Sequence, residues 1–436
     1  MSEFPAIDVV WFKRDLRLSD HAPLKQAIES PRPTLLVYIF EPSLFESDHY
    51  GNRHGRFIWE SLCDMDDQLD PYNAHIVKVY HEVIPFFKKL SNHYTISTVL
   101  SHEETGINLT FERDKDFARF CDSKGITWIE SPTNAVFRGL MHRDGWRKRW
   151  KKRAKRELNT PNLAALDSID LATALQQYIL SHPIPNAYQK PNLLFQQGGE
   201  ANAWRCLEDF VYERGRHYND LISKPSGSRY GCSRISPFLT WGNLSLQQAY
   251  QFLWDEYDKL DYQWPLRSFG SRLKWHCHFI QKFEAEPRIE FENLNRGYNN
   301  IRTEQNETYV KAWKAGQTGF PLVDACMRAV KKTGYINFRM RTMLVSVLTH
   351  HLWQPWQAGA QFLGRQFLDF EPGIHYSQFQ MQAGTMGVNS VRIYNPVKQG
   401  YDHDPKGNFI RQWVPELRQV PTELIHEPWK MSKMEQ

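Results

Sequence analysis

The positive charge of this chain is concentrated in one short run that also carries two tryptophans. From residue 138 to residue 156 there are ten Lys or Arg side chains and one acidic side chain, whereas the net charge of the whole chain is only +5. Trp146 and Trp150 are four residues apart, so on a helix their rings share one face and the cations cover the others. Such a helix suits contact with nucleic-acid phosphates through Arg147, Arg149, Lys151 and Lys152. A solvated helix that the two tryptophans hold against its domain is an equal alternative.

Hydroxyl groups and a guanidinium group cluster at a predicted helix start in the stretch 231–239. Ser233, Arg234 and Ser236 precede Pro237, which suits the first turn of a helix. The N–H groups of a helix N-terminus bind anions, so a phosphate is one candidate ligand. Ordinary N-capping by Ser233 or Ser236 explains the same residues, and taken alone this stretch favours capping.

A second aromatic and cationic group follows in the stretch 271–281. Arg272 and Trp275 share a helix face, which suits a base stacked on the indole beside a cation. His276 and His278 fall on different faces, so we predict no two-histidine metal site here and no metal site elsewhere.

An arginine near a helix start, Arg341, needs a carboxylate partner if it is buried. Asp369 and Glu371 flank Phe370 just before a Pro-Gly break. We therefore predict an Arg341–Asp369 ion pair, which is either structural or part of a binding site.

Length and composition describe the protein that must position these residues. The chain has 436 residues, of which 41% are hydrophobic and 24% charged, which excludes a disordered chain and a polytopic membrane protein and predicts at least two cores. The six cysteines form no C-x-x-C pair and the N-terminus has no apolar targeting segment, so we expect a cytoplasmic protein with no membrane contact. We also expect the protein to be a monomer.

The first third of the chain alternates apolar runs with amphipathic stretches, which predicts an α/β doubly wound parallel sheet with ligands at the carboxyl ends of its strands. No dinucleotide or triphosphate motif is found. The predicted strands are 7–12, 34–40, 75–80, 94–100 and 126–130, and the helices between them include 23–29, 56–69 and 110–123, the last with Glu112 and Asp114 in its first turn.

The remainder of the chain is predicted to comprise a connecting segment and a helical domain. We predict an α/β domain over 1–133, a basic and proline-punctuated connection over 134–195, and an all-α domain over 196–436. The helices predicted in the last domain include 201–214, 245–257, 267–283, 321–333 and 339–353.

Several motifs together indicate a family. The opening segment 9–20 reads VVWFKRDLRLSD, residues 317–328 read QTGFPLVDACMR, and residues 392–399 read RIYNPVKQ, followed by FIRQW, PEL and HEPW in order. With these motifs the chain resembles the photolyase/cryptochrome family along essentially its whole length. The second motif, T-G-[FY]-P-x-V-D-A-x-M-R, is highly specific.

The resemblance implies an FAD in the helical domain and no antenna pigment. Reaction roles are implied for Trp275, Arg341, His375 and Trp356. The FAD-binding positions implied are Tyr218, Cys232, Ser233, Arg234, Ile235, Ser236, Arg341, Asp369, Phe370, Glu371 and His375. The DNA-binding positions implied are Arg272, Trp275, Arg339 and Gln399, beside the basic run.

The chain departs from the family pattern where the lesion and the electron route are expected. Arg272 stands for the lesion-binding Glu, Phe338 and Asn337 for the Asn and the His of an H-N-R segment, and Thr342 for a Met. Cys232 replaces a Thr, Glu371 an Asp and His375 an Asn. Of the three tryptophans that usually photoreduce the flavin only Trp356 matches, with Trp353, Tyr376 and Tyr394 as possible substitutes.

These features resemble a short bacterial branch thought to act on single-stranded DNA. We therefore expect a light-driven enzyme that splits cyclobutane pyrimidine dimers in UV-damaged DNA, with a preference for single strands. A cryptochrome-type blue-light receptor is the main alternative, although no signalling extension is expected after the HEPW motif. A nucleic-acid binding module with a vestigial flavin site, and a 6-4 photoproduct enzyme, are less favoured, the latter because no cysteine follows Cys326.

Overall fold

The structure is a computed structural model, and it describes residues 4–140, 142–388 and 390–432. Contacts within the chain define two compact units. The first comprises residues 1–207, 235–256 and 273–285, and the second comprises 208–234, 257–272 and 286–436. The limits 1–133, 134–195 and 196–436 remain predictions.

A five-stranded parallel sheet is the centre of the first unit, as predicted, with strand order β3-β2-β1-β4-β5. Val9 of the central strand lies opposite Leu35 of one neighbour and Val99 of the other. Strands β1 and β2 are apolar and almost entirely buried because helices cover both faces of the sheet. The strands are β1 (Ala6–Phe12), β2 (Thr34–Phe40), β3 (Val77–Tyr80), β4 (Thr95–His102) and β5 (Thr127–Ser131).

Helices make up most of the rest of the described chain. From the N-terminus they are α1 (Ala22–Ile28), α2 (Pro42–Glu46), α3 (Asn52–Leu69), α4 (Val83–Leu90), α5 (Asn108–Lys124), α6 (Trp146–Ala154), α7 (Thr173–Leu180), α8 (Asn186–Gln189), α9 (Glu200–Tyr212) and α10 (Tyr218–Leu221). They continue with α11 (Ser228–Gly231), α12 (Ser236–Trp241), α13 (Leu246–Tyr257), α14 (Gln263–Ala285), α15 (Glu307–Ala315), α16 (Pro321–Thr333), α17 (Phe338–Ser346), α18 (Gln357–Gln366), α19 (Pro372–Ala383), α20 (Pro396–His403) and α21 (Asn408–Trp413).

The carboxyl ends of β1 and β4, where a ligand was expected, are joined by the protein's own side chains. The Asp15 carboxylate accepts hydrogen bonds from His102 Nδ1 at 2.7 Å and from His21 Nε2 at 3.0 Å. His21 Nδ1 accepts from the Leu24 N–H, so its Nε2 carries the proton that is donated to Asp15. Burial alone would raise the pKa of Asp15, but these hydrogen bonds hold it well below its usual range. The three side chains offer metal-ligand atoms within 4.8 Å of one another, and their hydrogen bonds join the ends of the two strands.

The prediction that Glu112 and Asp114 lie in the first turn of a helix was wrong. Helix α5 begins earlier than predicted, at Asn108, so its first turn has no acidic residue. Asp114 instead pairs with Lys13 at 3.3 Å, and it belongs to a buried network in which Arg113 also binds Glu41 and Glu104. These side chains form a buried network of ion pairs beside the carboxyl ends of strands β1, β2 and β4.

In the second unit, the family-specific motif forms a turn ahead of α16. The Asp324 carboxylate accepts hydrogen bonds from Thr318 N–H and Oγ1 at 2.7 Å and from Gly319 N–H at 3.0 Å. Arg328 binds both carboxylate oxygens of Glu416, at 2.9 and 2.6 Å. The motif therefore ties a loop and the C-terminal segment to one helix.

The helix predicted over 339–353 is interrupted. Helix α17 ends at Ser346, and a π-helical turn follows over Val347–His351. The Thr349 hydroxyl donates to the Val345 carbonyl within this turn. A π turn in a helix re-aims the residues beyond it, and such turns are frequent near functional sites.

Candidate functional site

A cavity in the second unit gathers many of the residues singled out from the sequence. Helices α17, α18 and α19 and the segment between the last two form its walls. The residues that line it are Phe338, Arg341, Thr342, Val345, Leu363, Phe367, Asp369, Phe370, Glu371, Ile374, His375, Gln378, Phe379 and Gln382.

Arg341 is held in this cavity by three contacts. Its Nη2 lies 2.9 Å from both carboxylate oxygens of Asp369, and its Nε donates to the Ile336 carbonyl at 3.0 Å. The guanidinium carbon lies 4.0 Å from the ring centre of Phe367, in cation–π geometry. The predicted Arg341–Asp369 pair is therefore present, and it faces the cavity.

His375 is oriented by one hydrogen bond and by two rings. Its Nε2 donates to the Ala360 carbonyl at 2.8 Å, which means that this nitrogen carries the proton. The imidazole centre lies 5.1 Å from Phe370 and 4.8 Å from Phe379. These contacts fix the plane of a side chain that lines the cavity.

The lining of the cavity fits the isoalloxazine ring that the family resemblance implies. Apolar and aromatic side chains supply surfaces for a flat fused ring, and the Arg341–Asp369 pair supplies a polar edge. The Gln378 side-chain oxygen is buried and accepts no hydrogen bond from any described residue. Because an unsatisfied buried acceptor is costly, a ligand with an N–H group would be stabilised there.

The predicted phosphate-binding segment is arranged around Tyr335. Arg234 has a left-handed backbone with φ 60°, and its guanidinium carbon lies 3.6 Å from the Tyr335 ring centre. Cys232 is hydrogen-bonded to the same tyrosine, and burial raises the pKa of its thiol to about 11. Cys232 is therefore a neutral thiol, a weaker donor than the threonine hydroxyl it replaces.

Serine capping of the next helix was a wrong prediction. Helix α12 begins at Ser236 itself, so that Ile235 occupies the N-cap position, and the side chain of Ile235 makes no capping hydrogen bond. Ile235 and Ser236 belong to the first unit, and Cys232, Ser233 and Arg234 belong to the second.

Sequence reasoning missed Arg214, which positions this segment. It donates to the carbonyl oxygens of Tyr230 at 2.8 Å, of Cys232, and of Ser233 at 3.4 Å, and it is anchored by an ion pair with Asp209. The only signal was an arginine five residues after an aspartate at a helix end, which does not predict a contact with a later loop.

Tyr218 and Arg272 are joined in the second unit. Burial raises the pKa of the Tyr218 hydroxyl, although a hydrogen bond from Arg272 opposes the rise. Rings of Phe210 and Phe269 pack edge-on against Tyr218. Arg272, predicted to contact DNA, is therefore also a partner of a predicted FAD residue.

Trp356 lies in a short series of aromatic rings that begins at the cavity. It is buried, and its indole N–H donates to Asn293 Oδ1 at 2.8 Å. Its ring centre lies 6.1 Å from Tyr376, which in turn lies 5.5 Å from His375. Trp353 lies instead at the surface, 58% exposed.

Trp275 is 44% exposed on α14 in the first unit and is supported from one side. Phe279 stacks on it with ring centres 5.6 Å apart. His278 lies 4.9 Å from Trp275 and 5.8 Å from Trp146, so it links the exposed indole to the basic helix. Burial, helped by Arg143 and other nearby cations, lowers the pKa of His278 to about 4, which keeps it neutral.

The basic run forms helix α6 with the expected division of faces. Trp146 and Trp150 are 5% and 4% exposed, and Trp150 packs edge-on against Tyr250. The cations Arg147, Arg149, Lys151 and Lys152 are exposed. This geometry agrees with both sequence interpretations, and DNA contact through these side chains remains a prediction.

Comparison with known proteins agrees with this arrangement. Residues 8–161 match the family model described as DNA photolyase, and residues 269–436 match the model described as FAD binding domain of DNA photolyase. A deoxyribodipyrimidine photo-lyase of Vibrio cholerae is 28% identical, covering 97% of this chain and 92% of its own length. A cryptochrome DASH of Synechocystis is 26% identical over 100% and 93%.

Solved structures show the same fold. A Synechocystis cryptochrome superposes with a TM-score of 0.86 at 23% identity, covering 100% of this chain and 94% of the other. An archaeal photolyase from Sulfolobus tokodaii, solved with two FAD molecules, gives 0.80 at 26% identity, covering 98% and 94%. Fold and site together define a flavoprotein of the photolyase-like class. The chain belongs to the photolyase/cryptochrome family. Among the described residues, no helix combines the length and apolar character needed to cross a membrane.

Proposed function

We propose that this protein uses light to split cyclobutane pyrimidine dimers in DNA and that it prefers single strands. The observation that carries the proposal is the cavity in which the Arg341–Asp369 pair, His375 and aromatic walls meet, within the segment that matches an FAD-binding domain. Reduced FAD, when bound, would supply the electron that opens the dimer. No antenna pigment is part of the proposal.

The residues of the second unit hold the cofactor in this proposal. Arg341 and Asp369 bind the polar edge of the isoalloxazine, with Phe370, Glu371 and His375 beside it. Tyr218, Cys232, Ser233 and Arg234 bind the phosphates, and Arg214 keeps the stretch that contains the last three in place through its carbonyl contacts.

The lesion is bound by a separate set of residues. Trp275 offers an exposed indole face on which an extruded dimer stacks. In the second unit, Arg272, Arg339 and Gln399 contact the strand. Extruding the dimer from a duplex costs a few kcal/mol, and less when its bases are already unpaired. Arg272, Phe338 and Thr342 replace side chains that the family uses near the lesion. Because the site lacks those side chains, it works best on single strands, where the cost of extrusion is smaller.

A blue-light receptor that binds FAD and repairs nothing is the second candidate. Arg272 favours it, because this arginine stands where the family's lesion-binding glutamate is expected and its side chain is engaged with Tyr218. The similarity to proteins named cryptochrome DASH and cryptochrome agrees with this candidate as well.

One experiment separates the candidates. The reduced, FAD-loaded protein is illuminated with blue light in the presence of a defined thymine dimer in matched single- and double-stranded oligonucleotides, with a dark control. Light-dependent repair, faster in the single strand, is the expected result. Equal repair of both strands refutes the strand preference. No repair in either substrate, with FAD bound and reducible, refutes the enzyme and favours the receptor.

A further inference from the structure

Two histidines and a tyrosine meet at the edge of the sheet in the first unit, apart from the residues that line the cavity. His81 directly follows β3, which is the edge strand. Tyr178 lies in the last turn of α7, and His182 follows that helix. We call these three residues the His81 cluster.

The three rings of the His81 cluster are in mutual contact. The Tyr178 hydroxyl oxygen lies 2.5 Å from His81 Nε2. The ring centres lie 5.5 Å apart for His81 and Tyr178, 4.9 Å for Tyr178 and His182, and 5.2 Å for the two histidines. His81 and Tyr178 are partly buried and His182 is exposed, so the cluster can be reached from solvent.

Backbone carbonyl groups orient both imidazoles. His81 Nδ1 lies 3.3 Å from the Glu82 carbonyl oxygen, and His182 Nδ1 lies 3.1 Å from the Tyr178 carbonyl oxygen. The Ser181 hydroxyl donates to the same Tyr178 carbonyl at 2.6 Å and accepts from His182 Nδ1 at 3.0 Å. Because a carbonyl oxygen only accepts, Nδ1 carries the proton in each ring and Nε2 keeps its lone pair. His81 Nε2 therefore accepts its hydrogen bond from the Tyr178 hydroxyl.

This pattern is typical of metal-ligating histidines, which donate their other ring N–H to a carbonyl or carboxylate group. The spacing of the rings fits as well. A metal about 2.1 Å from a histidine nitrogen is about 3.2 Å from the ring centre, so two imidazoles on one tetrahedral metal have centres about 5.2 Å apart. The centres of His81 and His182 are separated by 5.2 Å.

We propose that the His81 cluster binds a divalent transition metal ion such as Zn²⁺, through Nε2 of His81, Nε2 of His182 and the phenol oxygen of Tyr178. Imidazole nitrogen favours Zn²⁺ and neighbouring transition metals over Mg²⁺. On binding, the Tyr178 oxygen exchanges its proton for the metal, and the proton is released to solvent. The proposal does not depend on the proposed function.

The metal would join elements that are far apart in the chain. Its ligands come from the end of β3 and from α7, which explains why sequence reasoning predicted no metal site. The unfolded chain does not hold these ligands together, so a bound metal stabilises the folded first unit. The Lys89 ammonium nitrogen lies 5.1 Å from the Tyr178 ring centre, and its charge opposes a second cation.

The test is a calorimetric titration of the full chain, as purified, with Zn²⁺ at about pH 8, above the range in which a histidine titrates. Buffers of different ionisation enthalpy report the released proton. The wild type is expected to bind Zn²⁺ with release of about one proton. His81→Gln and His182→Gln should each weaken binding by roughly tenfold or more. Tyr178→Phe should release no proton, and Lys89→Gln should bind more tightly than the wild type.

His75→Gln is the matched control, because His75 is an exposed histidine of the same unit whose Nδ1 lies 4.0 Å from Asp170 Oδ1. It should leave Zn²⁺ affinity unchanged. Equal binding by the wild type, His81→Gln and His182→Gln overturns the proposal, and so do the absence of binding by the folded wild type and equal competition by Mg²⁺. If His81→Gln fails to fold, the exposed His182 decides the matter alone. Unchanged proton release in Tyr178→Phe overturns the ligand set.

Discussion

Arg341 Nη2 is equidistant, at 2.9 Å, from the two carboxylate oxygens of Asp369. Phe370 and Glu371 follow Asp369 in the chain and line the same cavity. This ion pair therefore contributes to the orientation of the segment that faces the proposed isoalloxazine site.

Asp369→Ala should lower FAD occupancy and stability. It leaves a largely buried guanidinium without its carboxylate, at a cost on the order of 2 kcal/mol after allowance for the partial exposure of Arg341. Visible absorption of the purified protein measures the occupancy. Glu416→Ala, which removes the exposed partner of Arg328, is the control and should keep FAD. Full occupancy in Asp369→Ala would mean that the pair is dispensable for the cofactor.

Trp275→Ala should weaken binding of dimer-containing DNA by about 1–3 kcal/mol, because one stacking platform is lost. FAD content should not change. Trp264→Ala is the control, since Trp264 is also exposed, at 69%, and lies on the same helix. Binding titrations with a dimer-containing oligonucleotide decide the matter, and equal losses in the two variants would count against a lesion site at Trp275.

Trp356→Phe should slow the light-driven reduction of bound FAD, because it removes the most oxidisable ring of the series that passes through Tyr376. The lost hydrogen bond to Asn293 should also cost about 1 kcal/mol of stability. Trp313→Phe controls for the stability effect, since this buried indole also donates one hydrogen bond, to the Leu344 carbonyl. Transient absorption after a light pulse measures the rate, and equal rates in both variants would place the electron route elsewhere.

Reversing two cations of α6, with Arg147→Glu and Lys151→Glu together, should weaken single-strand binding and flatten its salt dependence. Each lost phosphate contact lowers the slope of log affinity against log salt by roughly 0.7. Lys115→Glu with Arg119→Glu is the matched control, because these cations have the same spacing on α5 and are paired within their own helix. An unchanged slope in the α6 variant would show that the helix is only a solvated surface.

Glu41→Gln should reduce the pH dependence of stability. Burial raises the pKa of Glu41 from 4.5 to about 7, although Arg113 opposes the rise. The folded protein therefore holds this proton in a window where the unfolded chain has lost it, and stability falls as the pH rises through that window. In the wild type, Glu41 should contribute a change of at most about 3 kcal/mol in the free energy of unfolding across this window, and the variant should lack that change. Urea unfolding at a series of pH values measures it, and identical pH profiles would contradict the assignment.

The sequence predicted the parallel sheet well because its strands are short, apolar and bounded by polar turns. Strand β2 has the bounds expected, and the others differ by one or two residues. The start of α5 was misplaced because its N-cap residue is Ile107, which makes no side-chain cap, and this error put Asp114 in the wrong turn. The π turn after Ser346 could not be predicted, since the side chains over 339–353 keep a helical pattern.

Part of the candidate site could be predicted because a buried charged side chain needs a partner of opposite charge. Arg341 requires a carboxylate, and this need identified Asp369 across 28 positions of the chain. The contacts of Arg214 and Asn337 are made to backbone carbonyl oxygens, which carry no sequence signal. Asp15, His21 and His102 were also missed, because only the sheet topology brings the ends of β1 and β4 together.

The turn closed by Asp324 bears on how such proteins diverge. Its carboxylate serves Thr318 and Gly319, and none of the three lines the cavity. Substitutions in the cavity can therefore change what it binds while this turn stays intact. Phe338 and Thr342, which line the cavity, are two positions at which such a change leaves the turn untouched.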